Sequence, residues 1–118
     1  MASVEKRSPV CGSRVIVDVA TDGAGRIVDL GMEVRACALG QASAALMAAH
    51  AIGKSSAELA VTRDSLAEWL AGGEGPPEWP GLDIFAPARP HSARHASIRL
   101  AFEAAAEAAE ISTRERTD

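Results

Sequence analysis

Residues 14–35, RVIVDVATDGAGRIVDLGMEVR, constrain the chain more than any other stretch. Both arms are rich in β-branched residues, and between them stands TDGAGR, with Asp22-Gly23 and Gly25 marking a reversal. Two such arms joined by so short a link form an antiparallel hairpin. Arg14, Asp18, Arg26, Asp29, Glu33 and Arg35 keep one face of it wet. A hairpin alone is marginal in water, so the other face requires a cover.

The rest of the sequence supplies that cover as helices. The first runs from about Cys37 to Ile52 and stops at Gly53. Ser55 with Glu58 three residues later makes a capping box for a short second helix. RDSLAEWLAGG predicts a third short helix, ended by Gly72 and Gly73. Gly72 to Gly81 is a loop with three prolines, and LDIFAPARP is extended or coiled. A last helix runs from Ser92 or Ala93 to Ile111, with Ile98, Phe102, Ala105 and Ala109 on one face, before a fraying tail. Strands first and helices after predict an α+β fold: a small antiparallel sheet built on the N-terminal hairpin and covered on one face by C-terminal helices. The chain is read as one domain over 1–118, with flexible ends at about 1–8 and 112–118.

Charge and length narrow the function. At net charge −4, with no long basic run, phosphate-driven nucleic-acid binding is disfavoured. The near-apolar run from Ala42 to Gly53 is too short to span a bilayer, and MASVEKRSPV lacks a signal peptide's apolar stretch. These readings place the protein in the cytoplasm, without membrane or nucleic-acid partners. Only 3% of residues are aromatic and much of the 47% hydrophobic share is alanine, so the core is expected to be helix-rich and thin.

The chemistry lies with two cysteines. Cys37 stands at a helix start, where unpaired N–H groups and the dipole favour a thiolate, and its neighbours are small enough to leave room for something bulky. Cys11 sits between Pro9-Val10 and Gly12, where the first strand begins. Core thiols, metal ligands and a disulfide are all open readings, and a reducing compartment disfavours the disulfide. His91 and His95 are spaced i, i+4 near the last helix start, a weak metal-site pattern; His50 reads as a helix C-terminal dipole partner.

PVCGSRV, RACALGQASAAL and RHASIRLAFEAA, with IGKSSAEL between the last two, together resemble the iron–sulfur cluster assembly scaffolds IscU, SufU and the N-terminal domain of NifU. That family has a P-x-C-G-D stretch leading into a hairpin. A second cysteine opens an alanine- and serine-rich helix, and a third lies at the start of the last long helix. The resemblance spans about Pro9 to Ala109 and implies an IscU/SufU-like fold. It implies that Cys11 and Cys37 are cluster ligands and sulfur acceptors. Ser97 stands at the third cysteine's position and Ser13 at the aspartate's. His95, two residues before Ser97, is a competent replacement ligand for iron or zinc. The implied site is Cys11, Cys37, His95 and Ser97, holding a transient 2Fe–2S-type cluster or zinc. The implied partners are a cysteine desulfurase and apoprotein acceptors, and no enzymatic turnover is expected. The alternative is a degenerate scaffold that binds partners without a cluster of its own.

Overall fold

The computed structural model describes residues 1–9 and 12–117. Its sheet has three antiparallel strands in sequence order, β1 (Ala2–Arg7), β2 (Arg14–Thr21) and β3 (Ile27–Arg35). The α+β expectation holds, and the hairpin forms as expected from β2 and β3, with Val15 opposite Val34 and Val17 opposite Met32. The turn is closed by Asp22 Oδ1, which accepts from the N–H groups of Ala24 and Arg26, while Gly25 takes the left-handed conformation at φ 78°. β1 was not expected. Residues 2–7, read from the sequence as part of a flexible end, pair along the far edge of β2, with Val4 opposite Val17.

Period-2 burial in β2 turns Val15, Val17, Val19 and Thr21 inward. Of the three α-helices α1 (Ala38–Ala51), α2 (Ser56–Leu70) and α3 (His95–Thr117), α1 and α3 lie against the sheet and α2 packs on α3. α3 is central and packs against β1, β2, α1 and α2. Ile98, Phe102, Ala105 and Ala109 are fully buried, as their spacing predicts. Ala101, Ala104, Ala106 and Ala108 are buried too, because this helix is enclosed on several sides, and methyl-sized side chains let its neighbours come close. α3 also continues through the segment expected to fray: Ser112 is buried and its Oγ hydrogen-bonds Thr21 Oγ1 at 2.9 Å.

The two short helices expected between Ser55 and Gly72 are one. No glycine or proline interrupts residues 56–70, and Leu59, Thr62, Leu66, Trp69 and Leu70 form one buried stripe. The capping box is present: Ser55 Oγ accepts from the Glu58 N–H, and a Glu58 carboxylate oxygen accepts from the Ser55 N–H, both at 3.2 Å. The Ser55 backbone hydrogen bond, the Ser55 hydroxyl and the charges of Arg26 and Lys54 outweigh desolvation and hold the Glu58 carboxyl below its usual range. A carboxyl depressed in the folded state stabilises above its unfolded pKa and loses that contribution as pH falls through the folded one. Ser55→Ala should therefore cost about 1 kcal/mol in urea unfolding at neutral pH, and the difference from the parent should shrink on acidification below the ordinary glutamate range. An unchanged midpoint at neutral pH would show that the cap contributes nothing.

The segment expected to be coiled after Gly81 is a 3-10 helix over Leu82–Ala88, and Leu82, Phe85 and Ala88 are buried at its three-residue period. No helix among the described residues is long and apolar enough to cross a membrane.

Candidate functional site

Three element starts meet at one end of the fold. Ser13 immediately precedes β2, Cys37 is the N-cap residue of α1, and Ser97 lies in the first turn of α3. Ser97 Oγ is 2.9 Å from Ser13 Oγ and 3.3 Å from Cys37 Sγ. Both serines are buried, at 3% and 2% exposure, whereas Cys37 is exposed. The hydroxyls thus form a buried support behind an accessible sulfur.

Donor counting fixes the direction of this chain when Cys37 is ionised. A thiolate only accepts, so Ser97 donates its one hydroxyl proton to Sγ, and Ser97 Oγ accepts from Ser13. Sγ makes no hydrogen bond to the first turn of α1, so it is not spent as a cap. It nevertheless stands at the positive end of a helix of 14 residues, which favours negative charge on the sulfur.

The small residues around Cys37 serve a different purpose from the one their size suggests. A Cβ on Gly40 would lie 2.6 Å from Ala36 Cβ and 3.1 Å from Ser97 Oγ. Ser43 Oγ donates to the Ile98 carbonyl at 2.5 Å. The space is filled by close approach of α3 to α1, which is what brings Ser97 to the sulfur. Gly40 and Ser43 are therefore positioning residues for the site. Their signal in the sequence, a run of small residues after Cys37, has the same composition whether it makes a cavity or a close helix contact.

The sequence-predicted residues divide as follows. Cys37 and Ser97 come together, joined by Ser13. His95 opens α3, but its Nε2 lies 3.1 Å from the Ala88 carbonyl and 3.0 Å from the Arg89 carbonyl. Both partners are acceptors, so Nε2 is a protonated nitrogen and, in the neutral tautomer, Nδ1 is the one with a lone pair. His91 precedes the 3-10 turn Ser92–Arg94 and is exposed, so the i, i+4 pair does not share one α-helical face. His50 is in the last turn of α1, as expected, and its ring meets Trp79 edge-on at 6.2 Å. Cys11 lies outside the described residues; the sequence puts it two positions before Ser13. Among the described residues no three His, Cys, Asp or Glu side chains form a metal-holding group.

Chemically, this arrangement offers one accessible soft nucleophile with a hydroxyl donor behind it. A soft sulfur of this kind suits acceptance of sulfur or ligation of a thiophilic metal. The serines do not substitute for thiolates: neutral hydroxyls bind iron or zinc poorly, and these two are already hydrogen-bonded to each other.

No protein-family model and no curated protein matches the chain. Solved structures do. The N-terminal part of a nitrogen-fixing NifU-like protein from Brucella abortus superposes with a TM-score of 0.87 at 38% identity, over 98% of this chain and 80% of that one. A proposed iron–sulfur cluster assembly scaffold protein for the SUF system, from the thermophile Fervidobacterium islandicum AW-1, superposes at 0.81 with 25% identity, over 92% and 79%. A hypothetical protein superposes at 0.73 with 26% identity, over 92% and 81%.

Proposed function

Because the chain belongs to the family of NifU-like N-terminal domains and SUF-type iron–sulfur cluster assembly scaffolds, we propose that it receives sulfur at Cys37 and carries a small iron–sulfur cluster on Cys37 and Cys11. The observation that carries this reading is the exposed Cys37 sulfur at the N-terminus of α1, hydrogen-bonded by Ser97 from the start of α3.

In sulfur transfer, the Cys37 thiolate attacks the terminal sulfur of a persulfide on a cysteine desulfurase. A new S–S bond forms at Cys37, the donor's S–S bond breaks, and the donor cysteine leaves as a thiolate. Ser97 donates to the Cys37 sulfur before attack. Turning the sulfane sulfur into sulfide takes two electrons, supplied by an external thiol or ferredoxin-class reductant. The cluster is cargo, passed afterwards to an apoprotein, and no turnover of a small substrate is assigned to the chain. His95 joins the ligand set through Nδ1, since Nε2 is held by two carbonyls. Ser97 completes the set, with its hydroxyl shared with Ser13. Zinc is the alternative occupant.

A second reading is favoured by that same Ser13–Ser97 bond, which fills two ligand positions with a neutral, buried pair. In it, the fold binds assembly partners and builds no cluster.

The test is iron, zinc and acid-labile sulfide analysis of full-length protein purified without oxygen. The same protein is analysed again after incubation with ferrous iron, cysteine, a desulfurase and a thiol reductant. Iron and sulfide in comparable amounts support the scaffold reading. Zinc alone would make this a zinc site. Desulfurase binding with neither metal nor sulfide would overturn the scaffold reading in favour of the partner module.

A further inference from the structure

A groove of about 660 Å³ runs between the outer face of α2 and the loop at 73–79. Its apolar lining includes Val61 and Trp69 from α2 and Pro76 and Trp79 from the loop. Val61 is 66% exposed and stands on the solvent side of the buried stripe of α2.

The walls are held without an occupant. Arg89 donates from Nε to the Trp69 carbonyl at 2.8 Å and from Nη2 to the Gly73 carbonyl at 2.6 Å, and its guanidinium lies over the Trp69 ring. The other end of the loop is fixed by Trp79, whose indole N–H donates to the Leu46 carbonyl at 2.8 Å. Pro76 and Pro77 stiffen the stretch between. A groove pinned at both ends binds without a large ordering cost.

Its charge is one-sided. Glu68, Glu74 and Glu78 line it and are exposed, and no ion pair engages them among the described residues. A fourth carboxylate, Glu58, is committed to Ser55 and Arg26. The one cation in the lining, Lys54, sits 5.6 Å from the centre of the Trp79 ring. Three carboxylates spread around an apolar floor match a chain that alternates basic and aliphatic side chains.

We propose that this groove docks a basic, aliphatic-bearing segment of a partner protein. The groove is distinct from the cysteine site. It touches α1 through Trp79, at Leu46 in the helix middle and His50 in its last turn, and Lys54 beyond the helix end, whereas Cys37 is the N-cap residue at the other end. Cys37 does not line the groove, so the proposal stands apart from whether the chain carries a cluster.

The chain's two tryptophans both line the groove, so intrinsic fluorescence reports on it directly. The probe is a short capped peptide alternating leucine with arginine and lysine, with a leucine–glutamate peptide as control. Both are titrated into the full chain by fluorescence and by amide chemical shifts. The basic peptide should change tryptophan emission and shift amides of α2 and residues 73–79, and the acidic one should not. The triple variant E68K/E74K/E78K should weaken the basic peptide about ten-fold or more, while D29K/E33K/D83K, with the same change in net charge, stays within about two-fold of the parent. Circular dichroism checks that both variants fold. The proposal is overturned if the basic peptide does not bind, if both variants weaken it equally, or if the shifts map elsewhere. It is also overturned if spermidine competes as tightly as the peptide, or if self-association of the chain occupies the groove.

Discussion

Phe102→Ala removes about 3–5 kcal/mol of unfolding free energy, read as a lower urea midpoint at an unchanged slope. The chain has two phenylalanines and two tryptophans and no tyrosine, and all four rings are buried. Phe102 is the one on α3, the helix packed against β1, β2, α1 and α2. Its ring meets Trp79 edge-on at 5.3 Å between centroids, and Trp79 in turn is tied to α1 through the Leu46 carbonyl. Truncation leaves a ring-sized void beside Trp79 in a fully buried position. The aromatic pair, worth about 0.5–1.5 kcal/mol beyond its area, goes with it. A domain of this size has about 5–15 kcal/mol in total, so the variant is expected to be partly unfolded at physiological temperature. A loss below about 1 kcal/mol would show that the interior collapses around the gap, and that α3 is packed far more loosely than its burial indicates.

Ser97→Cys raises the iron and sulfide retained by the anaerobic protein and slows their loss to a chelator, and Cys37→Ser abolishes both. The first substitution puts a thiol where a hydroxyl now lies 3.3 Å from Cys37 Sγ. It also breaks the Ser13–Ser97 pair that keeps two hydroxyls engaged with each other. Single changes around a metal typically move affinity about 10–100-fold, and exchanging a neutral hydroxyl for a soft thiolate belongs at the upper end of that span. Iron retention no better in Ser97→Cys than in the parent, with Cys37→Ser no worse, would remove Cys37 and Ser97 from any cargo site. The fold would then be left with its partner-binding reading.

The sequence was most legible where local chemistry and tertiary structure agree. The hairpin arms, the Asp22–Gly25 turn, the Ser55–Glu58 cap and the apolar face of α3 are each specified by residues within a few positions of one another. β1 was missed because MASVEKR turns only Ala2 and Val4 inward and ends in three consecutive charged residues, the usual dress of an edge strand and also of a loose end. α2 was divided because Arg63 and Asp64 interrupt its apolar pattern, although they simply lie on its wet side and pair with each other. Register told which residues would be neighbours: resemblance placed Cys11, Ser13, Cys37 and Ser97 at one set of positions, and the structure brings the last three together, with Cys11 outside the described residues. It did not foretell the bond between the serines, nor that His95 turns Nε2 to the backbone. Spacing places a side chain on an element but does not say which buried carbonyls compete for it.

The serine pair joins positions 84 residues apart, and the Cys37–Ser97 contact joins positions 60 apart. Contacts of such long sequence separation form late, after loop closure has been offset by the rest of the core. The cysteine end shares this dependence with the Thr21–Ser112 bond, which joins positions 91 apart. The β2–β3 turn and the capped start of α2 are closed by residues near one another in sequence, whereas the hydroxyls behind Cys37 are in place only once α3 has docked. The chemical setting of the Cys37 sulfur is therefore a property of the finished tertiary structure and of no local segment.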